Sequence, residues 1–255
     1  MSKSYVIISD TQIPYDDRKA LDRVIEFIGD YQPDEVIHIG DLMDFPGPAR
    51  WSKGTAEEFA KHQLPGDIED CKRRFLEPLR AVYDGPVGVI EGNHDERPRV
   101  YLSKYAPAVA GYDFYNFENL LSFHDYKIRK LPDFYEFAPK WVATHGHRGG
   151  IRLTQESGKT ALNAAKRFNR NVVMGHTHRL GIARHTLGFD GNSEVLTGFE
   201  VGNLMNMKLA GYLKGATANW QQGFGLITVT NGVVKPQDIE INGGQFSVNG
   251  TVYKL

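Results

Sequence analysis

Five short apolar runs constrain this chain more than any other feature: Tyr5–Ile8, Val36–Ile39, Val87–Ile90, Trp141–Ala143 and Val172–Met174. Each is too short for a helix and rich in Val, Ile or other bulky apolar residues, so each reads as a buried strand. Segments of helical length separate them. Between the first two, Leu21, Val24, Ile25 and Ile28 recur at helical spacing, with Asp16 and Asp17 near the start, where acids suit the helix dipole. A second helix is expected over Asp67–Tyr83, with Ile68, Cys71, Phe75, Leu79 and Val82 as its buried stripe and Pro78 as a source of a kink. A third is expected over Ser157–Phe168. This β-α-β alternation predicts an α/β fold with a largely parallel or mixed sheet.

The last third reads differently. "EVLTGFEVG", "GFGLITVTNGVV", "QDIEI" and "GQFSVNGTVYKL" are strand-like, and two of the turns between such runs carry Asn-Gly, the strongest short hairpin signal. A second, more antiparallel sheet is therefore expected after the α/β part. With no repeat, low-complexity tract or Pro/Ser-rich linker, the expectation is one domain over residues 1–255, its motifs in 5–180 and its antiparallel strands in 193–255.

Composition excludes several classes. The formal net charge of -1 gives no global attraction to nucleic acid or acidic membranes. Cys71 is the only cysteine, which rules out an intrachain disulfide and a cysteine-rich zinc site. No apolar run approaches the roughly 20 residues of a membrane span. The start "MSKSYVIISD" has too short an apolar core for a signal peptide, so a cytoplasmic location is expected. The sequon Asn249-Gly250-Thr251 then reads as a turn.

Every one of the five strands runs into residues that bind metals or move protons. The first leads to Asp10 and Gln12, and the second to Asp41 and Asp44 in "GDLMD". The third leads to Asn93, His94 and Asp95 in "GNHD". The fourth leads to His145 and His147 in "HGH", and the fifth to His176 and His178 in "GHTH". In open α/β sheets ligands bind beyond the carboxyl ends of the strands, so five such ends can converge on one cleft. Singly, "GD" or "GNHD" is as well explained by a turn; five in order are not. Asp, Asn and His offer hard oxygens and imidazole nitrogen without sulfur, which suits Mn, Fe, Zn or Mg. Two such ions about 3.5–4 Å apart can clamp a phosphoryl group during in-line displacement. Gly40, Gly92, Gly146 and Gly175 beside these residues permit tight turns and close backbone approach.

The ordered set Asp10-x-Gln12, Gly40-Asp41-x-x-Asp44, Gly92-Asn93-His94-Asp95, His145-Gly146 and Gly175-His176-Thr177-His178 resembles the calcineurin-like metallophosphoesterase superfamily, and its length resembles the compact versions carried by bacteriophages. The resemblance implies a two-sheet mixed β-sandwich flanked by helices, a four-layer αββα arrangement, with two divalent metal ions at the strand ends. Mn is the foremost expectation, with Mg, Fe, Zn and Ni as alternatives. It implies one ion held by Asp10, Asp41, His178 and the residue at position 12, and the other by Asp41, Asn93, His145 and His176. It also implies His94 as general acid, oriented by Asp44, and a hydroxide between the metals as nucleophile. General acid work of this kind is worth about 10²–10⁴-fold.

Position 12 departs from the family, which usually has histidine there. A glutamine carbonyl is a poorer donor than imidazole to Zn or Fe, so the site is expected to lean toward Mn or Mg. Alternatively Gln12 only hydrogen-bonds to a ligand. For His147 two readings stay open, a substrate contact and a surface loop residue. His38 is expected to be packed inside its strand, and His62, His124 and His185 match no motif.

The pattern does not resemble serine/threonine phosphoprotein phosphatases, since Phe45-Pro46 follows Asp44 and Asp95 follows His94. The expected reaction is hydrolysis of a phosphodiester in a nucleotide or nucleic acid. A phosphomonoesterase is the alternative among enzymes, and a non-catalytic metal- or nucleic-acid-binding module the alternative outside them. Arg97, Arg99, Arg148, Arg152 and Arg179 lie in or near strand-end loops and are candidates for phosphate contacts. Two segments are candidates for shaping specificity: 45–59, where Trp51 and Phe59 are possible stacking residues, and the Gly-rich 202–223.

Overall fold

The computed structural model describes residues 2–50, 53–56, 63–209 and 217–255. All five predicted strands form. They are β1 (Ser2–Ile8), β2 (Glu35–His38), β3 (Val87–Ile90), β6 (Trp141–Thr144) and β7 (Asn171–Met174), with β4 (Ile128–Leu131) and β5 (Tyr135–Ala138) between the third and fourth. Six more follow: β8 (Leu180–Phe189), β9 (Asn192–Val201), β10 (Gly223–Thr230), β11 (Val233–Glu240), β12 (Gln245–Val248) and β13 (Thr251–Lys254).

They make two mixed sheets and a hairpin, in the orders β11-β10-β1-β2-β3-β4, β5-β6-β7-β9-β8 and β12-β13. In the first sheet β1 to β4 run parallel, and β10 and β11 join antiparallel beside β1. In the second, β6, β7 and β9 are parallel, with β5 and β8 antiparallel at the edges. Apart from the β12–β13 hairpin, the late strands therefore do not form a sheet of their own. They are shared between the two sheets, because β8–β9 complete the edge beside β7 while β10 pairs with β1. Both expected Asn-Gly turns form, each with Asn and Gly at positive φ: Asn231-Gly232 joins β10 to β11, and Asn249-Gly250 joins β12 to β13. Asp190-Gly191 makes a third such turn between β8 and β9.

Alternation along β1 explains its unbroken apolar run. Tyr5 and Ile7 face the space between the sheets, against Ile37, Ile90, Trp141, Val173 and Phe199. Val6 and Ile8 face the opposite way, under α1 (Arg18–Tyr31). Strands covered on both faces need no polar alternation, and each fully buried Val, Leu or Ile is worth about 1.5–3 kcal/mol. α1 begins where Asp17 caps it, accepting from the Ala20 N–H at 3.3 Å. On the far side α6 (Lys159–Phe168) packs Ala161, Ala164 and Ala165 on Val172, Met174 and Leu196. The order is helix, sheet, sheet, helix.

The second predicted helix is longer and less regular than expected. α2 (Leu64–Cys71) runs through a π-helical turn, Lys72–Leu76, into α3 (Glu77–Val82). Pro78 has no N–H for the Arg74 carbonyl, which favours the wider turn just before it. Cys71, Phe75 and Leu79 are buried as expected, Ile68 half so, but Val82 is exposed. Val82 is the last residue of α3 and lies at the open end of the stripe. Two further short helices are α4 (Arg97–Tyr105) and α5 (Phe117–Leu120). Among the described residues no helix is long and apolar enough to cross a membrane.

Candidate metal centre

The carboxyl ends of β1, β2, β3, β6 and β7 meet at one end of the sandwich. The chain beyond β1 stays paired with the chain beyond β2: the N–H groups of Asp10, Gln12 and Ile13 donate to the carbonyls of Gly40, Asp41 and Leu42, each at 3.0 Å. This ladder sets Asp10 and Gln12 beside Asp41. Asp10, Gln12, Asp41, His176 and His178 all have positive φ, a conformation that costs non-glycine residues energy and is held here by the loops around them. The glycines are needed for close approach. A Cβ on Gly40 would lie 2.6 Å from His145 Nδ1, one on Gly92 would overlap Asp41, and one on Gly175 would overlap Ser9 and come within 2.7 Å of Asp10 Oδ2.

Two groups of donors result, joined at Asp41. In the first, ligand atoms of Asp41, His145 and His176 all lie within 4.8 Å of one another. His145 Nε2 is 3.3 Å from Asp41 Oδ2 and 3.1 Å from Asn93 Oδ1. Its Nδ1 donates to the Ile39 carbonyl at 3.0 Å, which leaves Nε2 for a cation. In the second, His178 Nε2 is 3.2 Å from Asp10 Oδ1 and 3.1 Å from Gln12 Nε2. Asp10 Oδ2 is already taken, by the Ser9 hydroxyl at 2.6 Å and the His176 N–H at 2.9 Å. Asp10 Oδ1 and Gln12 Oε1 are buried with no hydrogen-bond donor. Buried oxygens of this kind are costly unless something satisfies them. A divalent cation fits the donor set: hard oxygens and imidazole, two of the oxygens otherwise orphaned. Gln12 thus lies within the cluster, beside His178.

Charge follows the same pairing. Burial alone would raise the Asp41 carboxyl, but the charges of His145 and His94 and their N–H donors hold it well below the usual range. Asp10 is likewise lowered, against its burial, by His178. Burial would lower His145, yet Asp41 overrides it and lifts the imidazole to about 9. His176 is pushed down to about 4 by burial and by the charge on His145.

His94 and Asp44 stand together at the rim. His94 Nδ1 and Asp44 Oδ1 are 2.6 Å apart, and the ring's Nε2 faces inward, 3.8 Å from Asp41 Oδ2. The backbone N–H of His94 donates to Asp41 Oδ1 at 2.8 Å. Arg97 braces the pair, donating to Asp44 Oδ2 at 3.0 Å and to the Asp44 carbonyl, with its Nη2 3.2 Å from His94 Nε2. Asp95 is a buried tie for this loop, accepting from the N–H groups of Met43 and Gly92 at 2.8 Å each.

The remaining candidates sort as follows. His147 is half-buried beside His145 and His176, 3.7 Å from Glu96 Oε1, so it borders the cluster and is not a loose surface residue. His38 is fully buried as expected. It lies 3.1 Å from Thr11 Oγ1, accepts from the Gly40 N–H, and is held neutral by burial, its pKa pushed down to about 3. Arg99 pairs with Glu91, and Arg148 with Glu96 and Asp133. Arg152 is exposed, and Arg179 is buried. Trp51, Phe59 and His62 lie outside the described residues. In the Gly-rich segment Asn203, Leu204 and Met205 are buried under the site, and Asn203 donates to the His178 carbonyl at 3.0 Å, so this part is scaffold.

Sequence reasoning missed Trp220, whose ring lies 4.4 Å from that of His178. The signal available was one aromatic in a Gly-rich segment, without a motif to tie it to the strand ends.

The family model for calcineurin-like phosphoesterases matches residues 4–180, and the chain belongs to that family of metal-dependent phosphoric ester hydrolases. It is 62% identical to the Gene 54 proteins of Mycobacterium phage L5 and of Mycobacterium phage D29, over all of this chain and all of each relative. Among solved structures it resembles Vacuolar Protein Sorting 29 from Cryptosporidium parvum, with a TM-score of 0.50, 14% identity and coverage of 100% and 99% of the two chains. It also resembles PhoD, with a TM-score of 0.52, 11% identity and coverage of 99% and 68%. At those identities the likeness is one of fold.

Proposed function

We propose that the protein hydrolyses a phosphodiester of a nucleotide or nucleic acid, with His94 as general acid. The observation that carries this reading is the dyad: a histidine 2.6 Å from a carboxylate on one side, its other nitrogen turned toward Asp41. Asp10, Gln12, Asp41 and His178 would hold one divalent ion, and Asp41, Asn93, His145 and His176 the other, with Mn foremost. When bound, the ions supply Lewis acidity at the phosphoryl oxygens and lower the pKa of coordinated water.

The chain's own residues do the rest. Asp44 fixes the His94 ring, with the Nδ1 proton directed at its carboxylate; Nε2, which accepts from Arg97 in this structure, would deliver a proton to the departing ester oxygen once it is protonated and turned from Arg97 to substrate. Arg97 holds Asp44 in place. Two features support a diester over a monoester. Arg97, Arg99 and Arg148 are engaged by Asp44, Glu91 and Glu96, which leaves these guanidiniums poorly placed to clamp a dianionic terminal phosphate. Trp220, half-buried with its ring 4.4 Å from that of His178 and tilted 50° to it, puts an aromatic beside the site that suits a base or other planar group on the ester.

A leaving-group comparison tests the assignment. With Mn²⁺, Asp44→Asn is expected to slow hydrolysis of a thymidine dinucleotide by about 10²–10⁴-fold. The p-nitrophenyl ester of thymidine 5′-phosphate, whose leaving group needs little protonation, should lose far less. Equal losses on both substrates would refute the general acid role.

A further inference from the structure

The connection that follows His94 is built unlike the rest of the molecule. Residues 97–112 hold no acid before Asp113; Arg97 and Arg99 pair with Asp44 and Glu91 at the start of this stretch, and Lys104 lies further along. Of the nine residues of α4 only Pro98 is buried, so this helix adds almost nothing to the core. Its aromatic side chains and those just beyond it face outward: Tyr105 is 41% exposed, and Tyr112 and Phe114 are 66% exposed. Large aromatics usually earn their place by burial, and these do not.

Cations are interleaved with them. The Tyr101 and Tyr105 rings lie 4.9 Å apart at one face of the helix. Lys53 Nζ sits 4.2 Å from the centre of the Tyr105 ring and 4.9 Å from that of Tyr101, and Lys104 Nζ lies 5.2 Å from the Tyr105 ring. Exposed rings with ammonium groups beside them and no acid along sixteen residues of chain suit a flexible polyanion that carries planar groups: rings for bases, cations for phosphates. The surface is also continuous with the candidate site, since α4 starts at Arg97, which bonds to Asp44 and abuts His94.

We infer that α4 and the aromatic residues after it form a stacking platform for single-stranded nucleic acid, over which the strand leaving the scissile phosphate runs. This rests on the phosphodiester reading above, and it narrows the substrate to a polymer with unpaired bases. The exposed Val100 and Val109 would suit a protein partner as well, but the Lys53 and Lys104 ammonium groups beside the rings favour the polyanion.

Binding measured without turnover separates the two claims. Fluorescence anisotropy of a labelled oligothymidylate is followed in EDTA at several salt concentrations, and bis-p-nitrophenyl phosphate turnover is measured separately with Mn²⁺. The variants are Tyr105→Ala, Tyr112→Ala and Lys104→Glu, all at exposed positions. The expected result is salt-sensitive binding by the wild type, weakened about five- to a hundredfold by each aromatic substitution. Lys104→Glu should flatten the salt dependence. Turnover of the small diester should be unchanged in all three. Wild-type affinity in the aromatic variants, or no binding by the wild type, would overturn the inference. So would a dimer in sedimentation that Tyr105→Ala dissociates, since the face would then be a contact between copies. If binding behaves as expected but the wild type turns over no diester, the platform stands and the catalytic proposal falls.

Discussion

Metal loading of this centre should release protons, and the structure says how many and from where. In metal-stripped protein the His145–Asp41 pair carries a proton, because Asp41 lifts the imidazole to about 9. A cation at His145 Nε2 must displace it. His176, at about 4, has no proton to lose near neutrality. One proton is therefore expected for the ion held by Asp41, Asn93, His145 and His176. The raised pKa also fixes the sign: the proton is bound below about 9, so apparent affinity rises with pH across the neutral range. At pH 7 the competition spans about two units, which costs about 3 kcal/mol, or roughly a hundredfold in apparent affinity. Calorimetric titration of Mn²⁺ into stripped protein, in pairs of buffers with different ionisation enthalpies at pH 6, 7 and 8, measures the release directly. The expected outcome is about one proton released with the ion at His145, and about a tenfold gain in that ion's affinity per pH unit. His145→Gln should abolish the release while weakening binding. Affinity independent of pH, or release that survives in His145→Gln, would refute the reasoning.

Other consequences can be checked separately. Gln12→His should tighten the ion held beside Asp10 and His178 on the order of tenfold, most for Zn²⁺; unchanged affinity would mean that Gln12 does not bind it. Gly92→Ala puts a methyl group into Asp41, so activity should fall by about 10²-fold or more, with the two sheets intact by circular dichroism; an active variant would contradict the packing. His38 stays neutral in the native state down to about 3, while in the unfolded chain it protonates near 6.5. Stability from this residue is therefore lost as pH falls between those values, by about 1.4 kcal/mol per unit. Urea unfolding at pH 6.5 and 5 should show a steeper loss for the wild type than for His38→Gln, and parallel losses would remove the argument.

The candidate site was legible because its residues sit at strand ends, and a Val/Ile-rich run that stops at Asp, Asn or His is a local signal. Gly40, Gly92 and Gly175 could be read too, since each abuts a candidate ligand in the chain. The destination of the late strands could not. Strand-like runs and the turns between them mark β8 to β11 as strands but name no neighbour, so their division between two sheets followed only from pairing. The π turn before Pro78 escaped for a similar reason: Cys71, Phe75 and Leu79 keep the helical spacing across it and are all buried. Trp220 reaches His178 from 42 positions away in the chain through Asn203 and Gln221, which bond to the His178 backbone. No local pattern announces such a contact. The Asp190-Gly191 turn was open to the same argument as the two Asn-Gly turns.

The central claim is that this centre is a working, metal-dependent phosphodiesterase despite the glutamine at position 12. Its most direct test is metal-stripped protein with added Mn²⁺, assayed on bis-p-nitrophenyl phosphate and p-nitrophenyl phosphate side by side, with His94→Ala as control. The account predicts turnover that depends on the metal and favours the diester, with a loss in the variant of about 10²-fold or more on a thymidine dinucleotide assayed alongside and far less on the p-nitrophenyl esters. A preference for the monoester, or dinucleotide turnover indifferent to His94, would contradict it.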